Sequence, residues 1–218
     1  MKWFVLALAG LLLWGCLAHW RRSARIRAID ATPFPRYLRA AVRKSYPALS
    51  DRQLADIERG LRQFFHCHRR AKAFVSMPSQ AVDAMWHAFI LDTRAYERFC
   101  RNAFGHFLHH SPAETLGRDA QRNDGLRRTW YHACRLEGID PRTPAALPLL
   151  FALDASLAIA GGFVYVPDCR AIDRQADGGT HCGTSFGDGS SAGSGDSFGG
   201  EAGGSDGSGD GGCGGGGD

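Results

Sequence analysis

Residues 50–65 have the sequence SDRQLADIERGLRQFF, which is typical of a capped amphipathic helix. Ser50 and Asp51 are residue types that cap a helix by accepting hydrogen bonds from its first free N–H groups. The apolar residues behind this cap recur at three- and four-residue intervals, so they lie on one helix face. They are Leu54, Ile57, Leu61, Phe64 and Phe65. The segment therefore predicts a helix that packs against a core.

The segments on either side predict further helices. Residues 163–166 form the one candidate strand, and the sequence offers it no partner. We therefore predict a mainly α fold, a small helical bundle over residues 33–175. The expected helices, besides the one above, are 33–46, the segment after Ser79, 92–104, 119–136 and 145–160.

An apolar stretch, residues 3–20, precedes this domain and has a tryptophan at each end. About twenty apolar residues cross the hydrocarbon layer, and tryptophan favours its interfaces. We predict that residues 1–22 form a signal-anchor transmembrane helix. A cleaved signal peptide and a lipoprotein are the alternatives, because Lys2 supplies a charged start and Cys16 follows Gly15.

Positive charge after the apolar stretch predicts the orientation of the chain. The side richer in positive charge stays in the cytoplasm. We therefore expect the domain to face the cytoplasm from a bacterial inner membrane, joined through a basic juxtamembrane linker, residues 23–32. Anionic lipid headgroups should contact the basic side chains here. These are Arg21, Arg22, Arg25 and Arg27.

The seven cysteines are scattered, and no two of them form a C-x-x-C pair. Such a distribution argues against a zinc ribbon and against a thioredoxin-type motif. Unpaired thiols are typical of a reducing compartment, which agrees with the cytoplasmic orientation.

Residues 176–218 are rich in glycine and serine and are predicted to be a disordered tail. The tail contains seven acidic residues and no Lys or Arg, so its formal charge is −7. Because the formal net charge of the whole chain is +4, the rest of the chain carries +11. The absence of arginine excludes an RGG-type RNA-binding tail. Nucleic-acid binding by the basic part is a weaker hypothesis, because its arginines are spread over every predicted helix.

Residues 83–112 hold the densest set of groups that could carry chemistry. Asp83 and His87 are four residues apart, so they share a helix face, where the carboxylate could orient the imidazole. Together with Cys100 and with His109 or His110, His87 could bind zinc. One alternative is a core histidine and a core thiol. Another is a catalytic pair of Cys100 and His87, against which the position of Cys100 within an aromatic helix argues. No nucleotide-binding loop, nucleophile elbow or H-E-x-x-H motif is present, so we predict no catalytic residue.

Other histidines and cysteines are weaker candidates. His66 and His68 flank Cys67 on a helix, where residues two apart point away from each other, and Arg69 follows them. This segment predicts a solvated or lipid-facing basic surface. His132 and Cys134 form a further candidate pair with the same two-residue spacing. The last candidates, His181-Cys182 and Cys213, lie in the predicted tail.

Three segments, residues 82–87, 91–100 and 104–112, resemble the glycine-rich domain-containing protein family. The glycine-rich tail adds to this resemblance. It implies a helical domain with such a tail, and it implies no particular activity.

We expect a non-enzymatic protein-interaction module with a flexible tail as the leading function. A metal-dependent site built on Asp83, His87, Cys100 and His109 or His110 is the alternative.

Overall fold

The computed structural model describes residues 2–110, 120–168 and 180–187, and within them the chain forms eight helices and two short strands. The mainly helical fold predicted from the sequence is therefore confirmed. In chain order the elements are α1 (Lys2–Ala31), α2 (Arg36–Ser45), α3 (Asp51–Ala71), α4 (Gln80–Leu91), α5 (Thr93–Ala103), α6 (Ala120–Glu137), α7 (Leu149–Ser156), β1 (Val164–Val166), β2 (Thr180–Cys182) and α8 (Thr184–Gly187).

Helix α3 is the central element and packs against α1, α4, α6 and α7. It begins with a reciprocal cap, in which the Ser50 hydroxyl accepts from the Gln53 N–H and the Gln53 side chain accepts from the Ser50 N–H. The five apolar residues of its predicted face are fully buried. A Cβ at Gly60 would collide with Leu153, so the glycine allows α7 to lie directly against α3.

Helix α1 continues well past the apolar stretch. Residues 23–32 were predicted to be a linker, but this segment is helical up to Ala31, and Ile29 is fully buried in the core. The end of α1 packs against α5 and α3. The basic segment is thus a rigid part of the domain, because one face of it carries the apolar side chain that the core buries.

Two side chains of α3 fix this end of α1. The last carbonyl groups of a helix have no partner within the helix. The Arg62 guanidinium donates to two carbonyl oxygens there, that of Ile29 and, at 2.8 Å, that of Thr32. His66 Nε2 lies 2.6 Å from the Asp30 carboxylate.

The first two-thirds of α1 is apolar and exposed. Among the residues that the structure describes, α1 is the one helix long and apolar enough to cross a membrane. A signal sequence near an N-terminus has the same length and composition.

The candidate strand does have a partner, contrary to the sequence-based expectation. Strand β1 pairs in parallel with β2, with Val164 opposite Thr180 and Val166 opposite Cys182. Residues 180–187 therefore belong to the fold, although the sequence predicts them to be part of the tail. Phe186 of α8 is buried with its ring 6.0 Å from that of Trp130. Two three-residue strands are too short for an alternating pattern to reveal them. The remainder of the predicted tail, residues 176–179 and 188–218, lies outside the described residues.

A buried carboxylate connects three elements of the domain. Asp154 of α7 is 2% exposed. Its carboxylate accepts hydrogen bonds from the Ser79 hydroxyl at 2.6 Å and from the backbone N–H groups of Gln80 at 2.8 Å and Ala81 at 3.2 Å, all at the start of α4. It also accepts from the Phe163 N–H at 3.0 Å, just before β1. The negative charge is favourable at this position because the N-terminus of a helix is its positive end.

We predict that Asp154→Asn lowers the free energy of unfolding by about 3 kcal/mol, because buried hydrogen bonds to a charged acceptor are lost and the new amide turns N–H groups toward donors. The measurement is denaturant unfolding of the full chain in detergent micelles, followed by tryptophan fluorescence. The matched control is Asp124→Asn, which removes an exposed ion pair with Arg128 at 3.9 Å and should change stability by less than about 1 kcal/mol. Equal losses in both variants would contradict the role assigned to Asp154.

Candidate metal site

Helix α4 contributes two neighbouring side chains to the candidate site. The Ser79 hydroxyl caps α4 by accepting from the Val82 N–H, so Asp83 lies in the first turn and His87 in the next. His87 Nε2 is 3.3 Å from a carboxylate oxygen of Asp83. The side chains of His87 and Asp83 are 53% and 35% exposed, so solvent reaches both.

The third side chain, His110, is positioned by a buried tyrosine. The Tyr96 hydroxyl accepts a hydrogen bond from Trp86 Nε1 at 3.0 Å and donates one to the carbonyl oxygen of Leu108 at 2.7 Å. Burial raises the pKa of Tyr96, so the hydroxyl keeps the proton that it donates. His110 follows two residues later, and its ring packs edge-on against Trp86 with the centroids 4.7 Å apart.

Asp83, His87 and His110 form a tight cluster, and each offers an atom that could bind a metal ion. His110 Nε2 lies 3.0 Å from His87 Nε2 and 3.1 Å from an oxygen of Asp83. Each ring nitrogen carries at most one proton, and two protonated nitrogens facing each other repel. No placement of the protons turns all three contacts of the cluster into good hydrogen bonds. A cation at the centre would satisfy all three groups at once.

The separations within the cluster match those of metal ligands. Zinc binds imidazole nitrogen and carboxylate oxygen at about 2.0–2.2 Å, so tetrahedral ligand atoms lie roughly 3.3–3.5 Å apart. The contacts of 3.0 to 3.3 Å in this chain are only slightly shorter. Small rotations of the side chains would therefore complete a three-ligand site.

The cluster lies on the wall of a cavity of about 730 Å³. This is the size of many small-molecule sites. Besides the cluster, aromatic side chains line it: Tyr46, Phe74, Trp86 and Phe163. Burial, followed by the negative charges of Asp154 and Asp83, raises the pKa of Tyr46 and keeps this phenol neutral at the cavity wall.

The structure leaves two of the expected ligands out of the cluster. The Cys100 thiol is buried on the inner face of α5, and burial raises its pKa. A metal ligand needs the thiolate instead. His109 is exposed and its ring lies against Phe107, because successive side chains of an extended segment point to opposite sides. Asp83, expected only to orient a histidine, offers a ligand atom itself.

The sequence predicted that the part of α3 around Cys67 is a solvated or lipid-facing basic surface. The two histidine rings are largely buried, so the solvated alternative is wrong for them. Cys67 is fully buried, and burial raises its pKa to about 12. His66 is paired with Asp30 as described above, and His68 Nε2 lies 3.3 Å from His106 Nε2. Burial and then the neighbouring His106 lower the pKa of His68 to about 4, so its ring is neutral at pH 7. Partners distant in sequence, which the helical spacing could not reveal, hold both rings.

The remaining cysteines correct the expectation of uniformly unpaired thiols. Cys16, Cys67, Cys100 and Cys134 are free, but Cys182 is disulfide-bonded. Cys182 was predicted to lie in the tail, whereas it lies in β2. Cys213 lies outside the described residues.

Sequence reasoning missed the polar groups that support the site. Asp154 interrupts an apolar helix, and a charged residue in such a position is a signal of a buried, hydrogen-bonded carboxylate. Trp86 and Tyr96 are large side chains whose polar tips need partners when they are buried. The sequence contained both signals, but it could not say that the partners would be α4 and the segment after α5.

The fold and the cluster together define the class of protein: a mainly helical domain with an Asp–His–His set on a cavity wall. Residues 24–186 match the model of the UCP032817-like family. Because the match covers more than half of the chain, the chain belongs to the UCP032817-like family. The match ends at Phe186, within α8, which agrees with a fold that extends beyond residue 175. Comparison with curated proteins and with solved structures found no match.

The family match overturns the resemblance stated from the sequence. The segments within 82–112 were identified as similar to the glycine-rich domain-containing protein family, and this assignment is wrong. Aromatic and histidine-containing helices with a glycine-rich tail are compositional features, and unrelated chains can share them.

We predict that Tyr96→Phe destabilises the chain by about 2 kcal/mol, because the Trp86 N–H and the Leu108 carbonyl both lose a buried partner. The change should also loosen the segment that carries His110. Denaturant unfolding gives the stability, and hydrogen exchange of residues 104–110 gives the local effect. Tyr131→Phe, at a position 51% exposed, is the matched control and should change neither. Unchanged exchange in Tyr96→Phe would contradict the positioning role of the hydroxyl.

Proposed function

We propose that this domain binds a divalent transition metal through Asp83, His87 and His110. The observation that carries the proposal is the mutual approach of their ligand atoms to 3.0–3.3 Å on a cavity wall. Two imidazoles and a carboxylate form a ligand set that zinc accepts. The same set with further open positions also suits Fe(II).

Three protein ligands leave at least one coordination position open. Structural zinc sites are closed by four protein ligands, whereas sites that act on a ligand keep one position for water or substrate. The cavity borders the cluster, and the exposure of His87 leaves a path for solvent. We therefore propose that a small molecule with an oxygen or nitrogen donor binds the metal from the cavity.

The hypothesis of a non-enzymatic interaction module becomes the second candidate. That hypothesis rested on the predicted anchor, on the lack of a catalytic motif and on a core rich in aromatic residues, whereas the cluster and the cavity give the metal site a specific geometry. Nucleic-acid binding stays a weaker prediction, and its signature would be a strong dependence of affinity on salt concentration.

We predict that the full chain, purified without chelators in detergent, contains about one equivalent of a transition metal per chain. Loss of a side chain that only hydrogen-bonds to a metal ligand lowers metal affinity roughly 10–100-fold. His87→Ala and His110→Ala each remove a ligand itself, so each should lower the affinity for the metal by more than this. Elemental analysis by plasma mass spectrometry gives the content and the identity of the metal, and competition with a chromogenic chelator gives the affinity.

Two matched controls separate this site from other metal binding. His109→Ala removes the exposed neighbour of His110, and Cys100→Ala removes the other expected ligand; both variants should bind metal like the unchanged chain. Loss of metal in these controls to the same degree, or less than a tenth of an equivalent in the unchanged chain, would contradict the proposal.

We also propose that α1 anchors the chain in a bacterial inner membrane with the domain in the cytoplasm. The arginines after Trp20 support this orientation, because the membrane side richer in positive charge is the cytoplasmic one. The disulfide at Cys182 favours the opposite side, since disulfides persist in oxidising compartments. We give more weight to the arginines because they directly follow the apolar stretch.

We predict that a green fluorescent protein fused after residue 187 fluoresces in bacterial cells, and that alkaline phosphatase fused at the same place is inactive. The protein should remain in the pellet after alkaline carbonate extraction. The reverse pattern of reporter activity would place the domain outside the cytoplasm, and release by carbonate would contradict the anchor.

A further inference from the structure

Two basic segments that are distant in sequence lie close together where α1 enters the domain. The guanidinium of Arg25, on α1, lies directly over Gly105. The next residue, His106, contacts His68 on α3, and His68 is followed at once by Arg69 and Arg70. We call Arg22, Arg25, Arg69 and Arg70 the arginine patch.

Among the residues that the structure describes, no acidic side chain forms an ion pair with the arginine patch. Burial lowers the pKa of Arg69, and the positive charges of Arg70, Arg22 and Arg25 lower it further, against the opposing charge of Asp30. Asp30 is itself engaged by His66. The Nε atom of Arg69 is buried and has no hydrogen-bond partner among the described residues. The patch thus combines mutually repelling cations, and an anion bound beside their guanidinium groups would relieve this repulsion.

The position of the patch along α1 indicates where this anion would come from. The apolar stretch ends at Trp20, and Arg22 and Arg25 follow about 3 and 8 Å farther along the helix axis. The headgroup layer on each side of a bilayer occupies a similar depth, about 5–8 Å. Helix α1 is continuous, and its end packs against α3. Arg69 and Arg70 of α3 are therefore held at about the same depth in the headgroup layer as Arg22 and Arg25.

We propose that the arginine patch binds the phosphate of an anionic phospholipid headgroup in the membrane that α1 enters. This inference rests on the proposed membrane attachment of α1 and is independent of the metal site. It assigns a lipid-binding role to Arg69 and Arg70 of α3, which lie far in sequence from the juxtamembrane arginines. Arginine suits this task because its planar fork of donors matches phosphate oxygens.

Native mass spectrometry of the full chain in nonionic detergent would test the proposal, with dioleoylphosphatidylglycerol and dioleoylphosphatidylcholine as the two probes. The unchanged chain should bind phosphatidylglycerol at least about 25-fold more tightly than phosphatidylcholine. A basic residue near an anionic surface contributes about fivefold in affinity, so Arg69→Gln combined with Arg70→Gln should weaken phosphatidylglycerol binding about 25-fold. Binding of phosphatidylcholine should not change.

Two further variants serve as controls. Lys44→Gln combined with Arg52→Gln removes the same charge from exposed positions, Arg52 being at the opposite end of α3, about 25 Å away, and should keep the lipid preference. Arg69→Lys combined with Arg70→Lys keeps the charge and should retain most of the lipid preference, which would tie the effect of the glutamine variant to charge. An unchanged circular dichroism spectrum of the glutamine variant would show that it still folds.

Three results would overturn the proposal. The first is equal affinity of the unchanged chain for the two lipids, and the second is an equal loss of phosphatidylglycerol affinity in both glutamine variants. The third is binding of inorganic phosphate as tight as that of phosphatidylglycerol, which would indicate a site for a soluble anion. Carbonate extraction and metal content report separately on the anchor and on the metal site, so a failure here is distinguishable from a failure of either.

Discussion

The buried carboxylate of Asp154 is the interaction on which the arrangement of the candidate site depends. A carboxylate that is almost fully removed from water is costly unless donors surround it, and here one hydroxyl and three backbone N–H groups do so. These donors belong to the start of α4 and to the chain before β1. One charge therefore fixes where α4 begins, how it lies against α7 and which residues face the cavity.

The site is a consequence of this fixed start. Asp83 lies in the first turn of α4 and His87 in the second, so both have a defined position once the N-terminus of the helix is held. The Tyr96 hydroxyl then places the segment after α5 against the same helix and brings His110 to the pair. Two buried polar networks thus converge on one exposed cluster, which is the usual way in which a rigid interior positions side chains that act at a surface.

The same principle applies at the membrane end of the molecule. A flexible linker would leave the domain free to move relative to the bilayer, whereas α1 runs without interruption into the core, where Arg62 and His66 hold its end. The orientation of the domain is therefore tied to that of the apolar helix. The arginine patch therefore combines side chains of α3 with side chains that follow the apolar stretch of α1.

The sequence by itself determined the helices and the apolar stretch, because capping residues and three- to four-residue spacing depend only on neighbours along the chain. It also determined that Asp83 and His87 share a face. Tertiary structure decided the rest: that His110 joins them while Cys100 and His109 do not, that β1 finds a partner in residues assigned to the tail, and that α1 ends inside the core. Each of these depends on contacts between residues far apart in sequence, and neither local spacing nor composition contains the register of such contacts.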